Sequence, residues 1–584
     1  LFSLLILIGN PDNNSPDKTK VYNASIAATA SSRLLADLPN GSEVIITKSA
    51  DQQIHATVSI KFRDQEAEEG LRRLPEKIDL LVERGRSIVL DLTEVKRALM
   101  VEESDGFFDR IFSAISSGKR QYYSENGVRY IIISHYMKVE IQVPQLAEFE
   151  LNNKYGIVDF RKIAVTEMIA RAHSSEVSGS DLSGSLDLSD KYSRASLENI
   201  NGSLRLDCHE MDIDVTNVSG PASIDNKYKP TRVTKIGGKL SLSLHNSTTE
   251  VDDVNGDLKI QNKYSSTKVN NIKGNLLADL HEVEFTAENI SGYAEVNDKY
   301  KPVAIRNVGK YASLDLHQCR LTLSDIGATV NIKNKYDSNE ISRINGDLII
   351  DAHESSFKIK RVNGNLTMSN KYKPVEIQSV RGFAKLTLQN STLKLDSVGS
   401  EVIVSNKYNN NTITRVFANV DLTSHESNNT IENVSGSLSL NAKYGSGSIK
   451  NVSGDVTIKA HQHPLDIESI GNLILDGKYT SVDLTGNLKS IEIDNHEATI
   501  NIKVPRSYNS DIRINNKYGD IRIDDLNLEL YRINAMTKSG RIRSKLMDDD
   551  YDSRSNTDRL RRNWSDKTKP ALDLENNSGD IILN

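Results

Sequence analysis

From about Lys154 to His496 the apolar residues fall on a fixed beat. Written as turns of 18 positions ending at glycine, residues 257–274 read D-L-K-I-Q-N-K-Y-S-S-T-K-V-N-N-I-K-G, and residues 275–292 read N-L-L-A-D-L-H-E-V-E-F-T-A-E-N-I-S-G. Apolar side chains hold positions 2, 4, 13 and 16, as in Leu258, Ile260, Val269 and Ile272. Glycine closes the turn at Gly202, Gly220, Gly238, Gly256, Gly274 and Gly292, and again at Gly346, Gly364, Gly382, Gly436 and Gly454. Positions 16, 18, 2, 4 and 6 alternate with the period of two that a strand requires, while 11 and 13 supply a second, shorter strand.

Neither strand can bury its apolar face alone, so the turns must stack. Stacked turns pair by parallel strand bonding about 4.8 Å apart, and about twenty of them make a rod of roughly 95 Å. The period-two pattern and the density of Gly, Asn, Asp and Thr exclude helical repeats. The expected fold is all-β: a single long parallel β-solenoid, or β-helix, with a small α+β cap before it and an irregular β cap after it. Glycine at position 18 is expected to leave room where the chain passes close to the core.

The same beat carries a polar column at position 7. Lysine and histidine alternate there through Lys191, His209, Lys227, His245, Lys263, His281, Lys299, His317, Lys335, His353 and Lys371; Gln389 interrupts; Lys407, His425, Lys443 and His461 resume it. The double repeat is thus 36 residues. Lys154 and His173 precede the run, and Lys478, His496 and Lys517 follow it with small slips in spacing. Each lysine is followed by tyrosine: Tyr192, Tyr228, Tyr264, Tyr300, Tyr336, Tyr372, Tyr408 and Tyr444. Position 6 changes in step, with Asn226, Asn262, Asn334 and Asn370 before Lys-Tyr but Leu244, Leu280 and Leu316 before His. Parity puts position 7 outside and positions 6 and 8 inside at a corner. The tyrosine ring would then cover the space beside a leucine of the next turn, and its hydroxyl would meet Glu210, Glu282 or Glu354.

Outside the array the pattern changes. Residues 1–20 divide into an apolar run, Leu1 to Gly9, and a polar linker. Residues 21–144 read as a capping region, with strands over 44–46, 54–60, 78–82, 87–92, 130–134 and 139–143. A short charged helix is expected over 64–74, stopped by Pro75, and an amphipathic helix over 106–115. The solenoid occupies 145–504. Residues 505–584 form the second cap, with a polar stretch at 548–569 expected to be a mobile loop. Both caps would cover sheet edges that otherwise invite end-to-end pairing.

Composition narrows the function. The formal net charge of −6 over 584 residues, with lysines and acids interspersed, argues against nucleic acid, which needs a clear basic face. The opening apolar run is too short to span a bilayer, and no other stretch is long enough; it reads as the remnant of a signal peptide, implying export. Cys208 and Cys319 lie 111 residues apart, roughly 29 Å at strand spacing, beyond disulfide reach. One is expected to be buried and the other a surface thiol.

Met137 to Pro144, followed by Glu148 to Gly156 with its Asn153-Lys154-Tyr155, resembles the start of bacterial adhesin-like domains, β-solenoids of unknown function related to the head GIN domain. The turns Asn217-Val218-Ser219-Gly220 and Asn345-Gly346-Asp347 are similar to that family's repeat. The resemblance runs from about residue 21 onward. It implies an exported bacterial envelope protein and identifies a fold better than a task.

The Lys/His/Tyr column is the candidate site, read either as corner packing or as a comb that grips a polyanionic or glycan chain. Histidines two turns apart stand roughly 9.6 Å from each other, too far to share one metal ion. His461 and His463 are the one close pair. No catalytic, cofactor or metal residues are assigned. A hydrolase or lyase needs carboxylates converging in a cleft built by irregular loops, and these turns barely vary in length. The expected protein is therefore non-enzymatic, adhesive or scaffolding. A surface or periplasmic polysaccharide, or another copy joined through the rod ends, would be its partner.

Overall fold

The computed structural model describes residues 18–62, 67–102, 122–125, 128–133, 135–546 and 551–584. It is mostly strand, a parallel β-solenoid of about 21 turns at 18-residue spacing. Two compact units divide it, Leu1–Thr267 and Lys268–Asn584. Among the described residues the α-helices are Ala67–Arg73 and Thr93–Leu99, and no helix is long and apolar enough to cross a membrane.

Each regular turn of the first unit consists of two strands of about equal length. Leu240–His245 and Thr249–Val254 lie in register on Ala222–Lys227 and Thr231–Ile236. Leu240, Leu242, Leu244, Thr249, Val251 and Val254 point inward and are buried. The expected single strand running from position 16 through glycine to position 6 does not form, because the chain turns at the glycine.

Parity fails elsewhere for a related reason. The residues at positions 8 and 15 adopt left-handed backbone, for example Asn246 (φ 54°) and Asp253 (φ 58°). Such a residue reverses the side-chain alternation, which is how positions 13 and 16, an odd number apart, both face the core. Asn and Asp tolerate this conformation, but Lys235 also adopts it (φ 58°), at a cost of about 1–2 kcal/mol for a side chain with no local hydrogen bond to offset it.

The amino-terminal cap is woven into the stack. Arg33–Asp37 and Glu43–Lys48 form the first turn; the chain then leaves and returns as Leu146–Lys154 and Ile157–Arg161, laid parallel upon it. On the other side Glu43–Lys48 pairs with His135–Val143, which continues antiparallel to Gln53–Phe62 and then to Thr19–Ala27. Parallel stacking thus passes into an antiparallel sheet. The charged helix forms as Ala67–Arg73, short of Pro75. Thr93–Leu99 was not legible as a helix, and the expected helix over 106–115 lies outside the described residues.

The second unit repeats the turn and shows what the glycine does. Gly454 donates its N–H to the Gly436 carbonyl at 3.0 Å. A Cβ on Gly454 would sit 2.6 Å from that oxygen, so the glycine serves close approach between neighbouring turns rather than to the core. At the carboxyl end the chain folds back. Ala571–Ser578 inserts between Ile512–Tyr518 and Arg532–Thr537, parallel to both. Thr557–Arg562 then covers Arg532–Thr537 antiparallel and carries Tyr551–Arg554 on its far side. Residues 551–562, expected within a mobile loop, are this hairpin. Its Asp558 accepts the Ile542 N–H and the hydroxyls of Tyr551 and Ser553, stopping a strand edge that would otherwise remain open. Cys208 and Cys319 are both free and both buried, so neither is a surface thiol.

Candidate functional site

The site is the corner after the first strand of each turn. In the first unit Lys227 and His245 are register partners on neighbouring turns, and in the second Lys299 and His317 are. The next residue is left-handed: Tyr228 at φ 67°, Tyr300 at φ 73°, Tyr336 at φ 71°. That backbone swings the tyrosine outward, contrary to the inward position that parity predicts. Tyr228 is 49 % exposed and Tyr300 48 %.

Once outside, the ring meets histidine rather than glutamate. Tyr228 lies edge-on to His209 at 5.5 Å and to His245 at 5.6 Å between ring centroids. In the second unit His281, Tyr300, His317, Tyr336, His353 and Tyr372 follow one another at 5.5–5.9 Å, each pair T-shaped. This geometry sets the positive ring edge of one partner against the negative face of the other. Gln389 breaks the run, which resumes from Tyr408 through His425, Tyr444 and His461 to Tyr479. In the first unit Tyr155, His173, Tyr192 and His209 precede Tyr228 in the same manner, and Tyr264 follows His245.

Position 6 is inward, as expected, but its asparagine does more than make room. Asn334 Nδ2 donates to the Cys319 carbonyl at 2.8 Å and to Asn339 Oδ1 at 2.7 Å. Asn226 and Asn262 do the equivalent to the carbonyls of Met211 and Ser247, and Asn370 and Asn406 to those of Ser355 and Ser391. Buried carbonyls at the corner are thereby satisfied. Asp190 and Asp298 take this place in two turns. Burial pushes the Asp298 carboxyl up to about 7, against the pull of the Lys299 and Val283 backbone N–H groups; Asp190 is likewise raised to about 7.

The lysines stand apart from the acids. Among the described residues, none of Lys299, Lys335, Lys371 and Lys407 lies in an ion pair, and all are exposed. Arginines elsewhere on the turn are paired: Arg232 with Glu250 at 2.9 Å, Arg343 and Arg415 with Asp325 and Asp396. The glutamates at the corner sit beside their own histidines, Glu354 at 3.7 Å from His353 and Glu426 at 3.5 Å from His425.

His461 and His463 do not converge. His461 stacks in the ladder, whereas His463 is fully buried and points to Asn429 Nδ2 at 3.4 Å; burial lowers its imidazole to about 4. Among the described residues no three His, Cys, Asp or Glu side chains gather as metal ligands do.

Within each unit the arrangement offers half-exposed aromatic rings and, among the described residues, lysine ammonium groups outside any ion pair at a regular interval. The left-handed corner and the asparagine brackets are what sequence reasoning missed; the recurring Asn-Lys-Tyr was the available signal. Comparison with family models, with curated proteins and with solved structures finds no match.

Proposed function

We propose that this chain is an exported, non-enzymatic protein of the bacterial adhesin-like kind, adhesive or scaffolding, which presents a repeated binding edge. One observation carries the reading. Within each unit, tyrosines of successive Lys-Tyr corners stand half exposed beside lysines that form no ion pair among the described residues. A contact made once at such a corner is weak, but a polymer meeting several corners gains from effective concentration without any new kind of contact.

Turns of near-equal length favour binding over catalysis, since among the described residues the solenoid turns carry no long loop. A depression in the first unit, lined by Arg194, Asp212, Asp214, Arg232 and Glu250 among others, has Arg232 committed to Glu250 and no histidine or lysine in its lining. Polymerisation through the carboxyl end is disfavoured by the antiparallel hairpin there.

The test is a glycan-array screen of the purified chain, followed by stepwise removal of Tyr300, Tyr336 and Tyr372. A repeated edge loses affinity by degrees. Abrupt loss of all function from one substitution would instead indicate a single catalytic or binding centre.

A further inference from the structure

In the second unit the corner also repeats every four turns. Lys299-Tyr300-Lys301-Pro302 and Lys371-Tyr372-Lys373-Pro374 occupy equivalent places. Glu282, Glu354 and Glu426 follow histidines at the same interval, and in the turns between them Gln318 follows His317 and Asn390 follows Gln389. Positions 7–9 therefore carry three lysines for each glutamate, and that glutamate lies beside a histidine. Asp337 is the one further acid at those positions between Glu282 and Glu426. Lysines in a line that outnumber the acids at those positions six to four, on a chain whose formal charge is −6, mark a place that favours a counter-charge from outside.

We infer that this edge takes a linear glycan bearing carboxylates, laid along the stacking direction, with sugar faces on the tyrosine rings and carboxylates at the lysines. The inference rests on the repeated-edge reading above and specifies its ligand. Lysines of successive Lys-Tyr corners are two rungs apart, about 9.6 Å, which is the length of an extended disaccharide. A polymer with an acid on every second sugar meets them in step. A small anion does not exploit the array, because no corner gathers more than two lysines. A polyphosphate supplies charge but no apolar face for the rings, and a duplex needs a broader basic surface.

Hyaluronan fragments of defined length, dextran and polyphosphate are titrated against the full chain, and against a variant carrying Lys299→Gln, Lys335→Gln, Lys371→Gln and Lys407→Gln. These lysines are exposed and unpaired, so the variant should keep the parent circular dichroism spectrum. Hyaluronan affinity should rise with fragment length and fall about tenfold or more in the variant, as expected when several linked contacts are removed together; added salt should weaken it. Dextran should not bind. Binding of dextran but not hyaluronan would overturn this inference and leave the repeated edge standing, whereas binding of none of the polymers would overturn both. Polyphosphate binding as tight as hyaluronan, and unchanged by Tyr300→Ala with Tyr336→Ala, would overturn the glycan assignment.

Discussion

Tyr300 and His317 meet across neighbouring turns with ring centroids 5.8 Å apart and planes at 88°. The contact exists because Tyr300 is left-handed, at φ 73°, and the backbone that places the ring outside is one that side chains other than glycine adopt at a cost. The corner thus holds a conformational penalty and an aromatic contact in the same residue.

Two substitutions at Tyr336 separate these terms. Tyr336→Ala removes the contacts to His317 and His353, each about 0.5–1.5 kcal/mol, and keeps the left-handed penalty. Tyr336→Gly loses the same ring but relieves about 1–2 kcal/mol of backbone cost. The glycine variant should therefore be the more stable of the two in urea unfolding, reversing the usual order within a strand. Equal stability, or the usual order, would show that the corner is not left-handed.

Asp298 ties stability to pH. Its carboxyl is raised from the ordinary range to about 7 by burial, so the folded state favours the neutral form. The stabilisation is complete below about pH 4, the range of an exposed carboxyl, and is lost as pH rises through about 7. Asp298→Asn restores the donor that Asn334 uses in its own turn. It should stabilise the protein at pH 8 by about 1–3 kcal/mol, the cost of an unsatisfied buried group, and gain little at pH 4. Urea midpoints of both proteins at the two pH values decide it; parallel pH dependences would refute the assignment.

Gly454 should not accept a side chain. Gly454→Ala places a methyl group 2.6 Å from the Gly436 carbonyl oxygen, and crowding of this kind costs about 1–3 kcal/mol. Faster amide hydrogen exchange in Leu438–Val452 and Val456–His461, with the amino-terminal sheet unchanged, is the expected signature. Unaltered exchange would mean that neighbouring glycine corners are not in contact.

Much of the turn was legible beforehand, because side-chain alternation reports directly which residues face a core. Leu258 and Ile260 are buried as the pattern required. Alternation fails silently at left-handed residues, however. Tyr228 and Asp253 each shift the phase by one, and nothing in the identity of Tyr228 announces it, since tyrosine rarely adopts that backbone. Hence the tyrosines were expected inside and lie outside. Sequence pattern alone has the asparagines make space, whereas Asn262 and Asn334 bracket buried carbonyls, a role that depends on the neighbouring turn. The hairpin at 551–562 was obscured because its exposed residues are polar and only Asp558 and Leu560 are buried.

The most direct test of the repeated edge is a set of distances along it. Pairs of spin labels on cysteines replacing Lys299 and Lys335, Lys299 and Lys371, or Lys299 and Lys407 sample two, four and six rungs; Cys208 and Cys319, both buried, should not label. The mean separations should climb in equal steps of about 9.6 Å, the rise of two rungs. Separations that fail to increase evenly with rung number would contradict an in-register stack, and with it the lysine and tyrosine line on which the proposed binding depends.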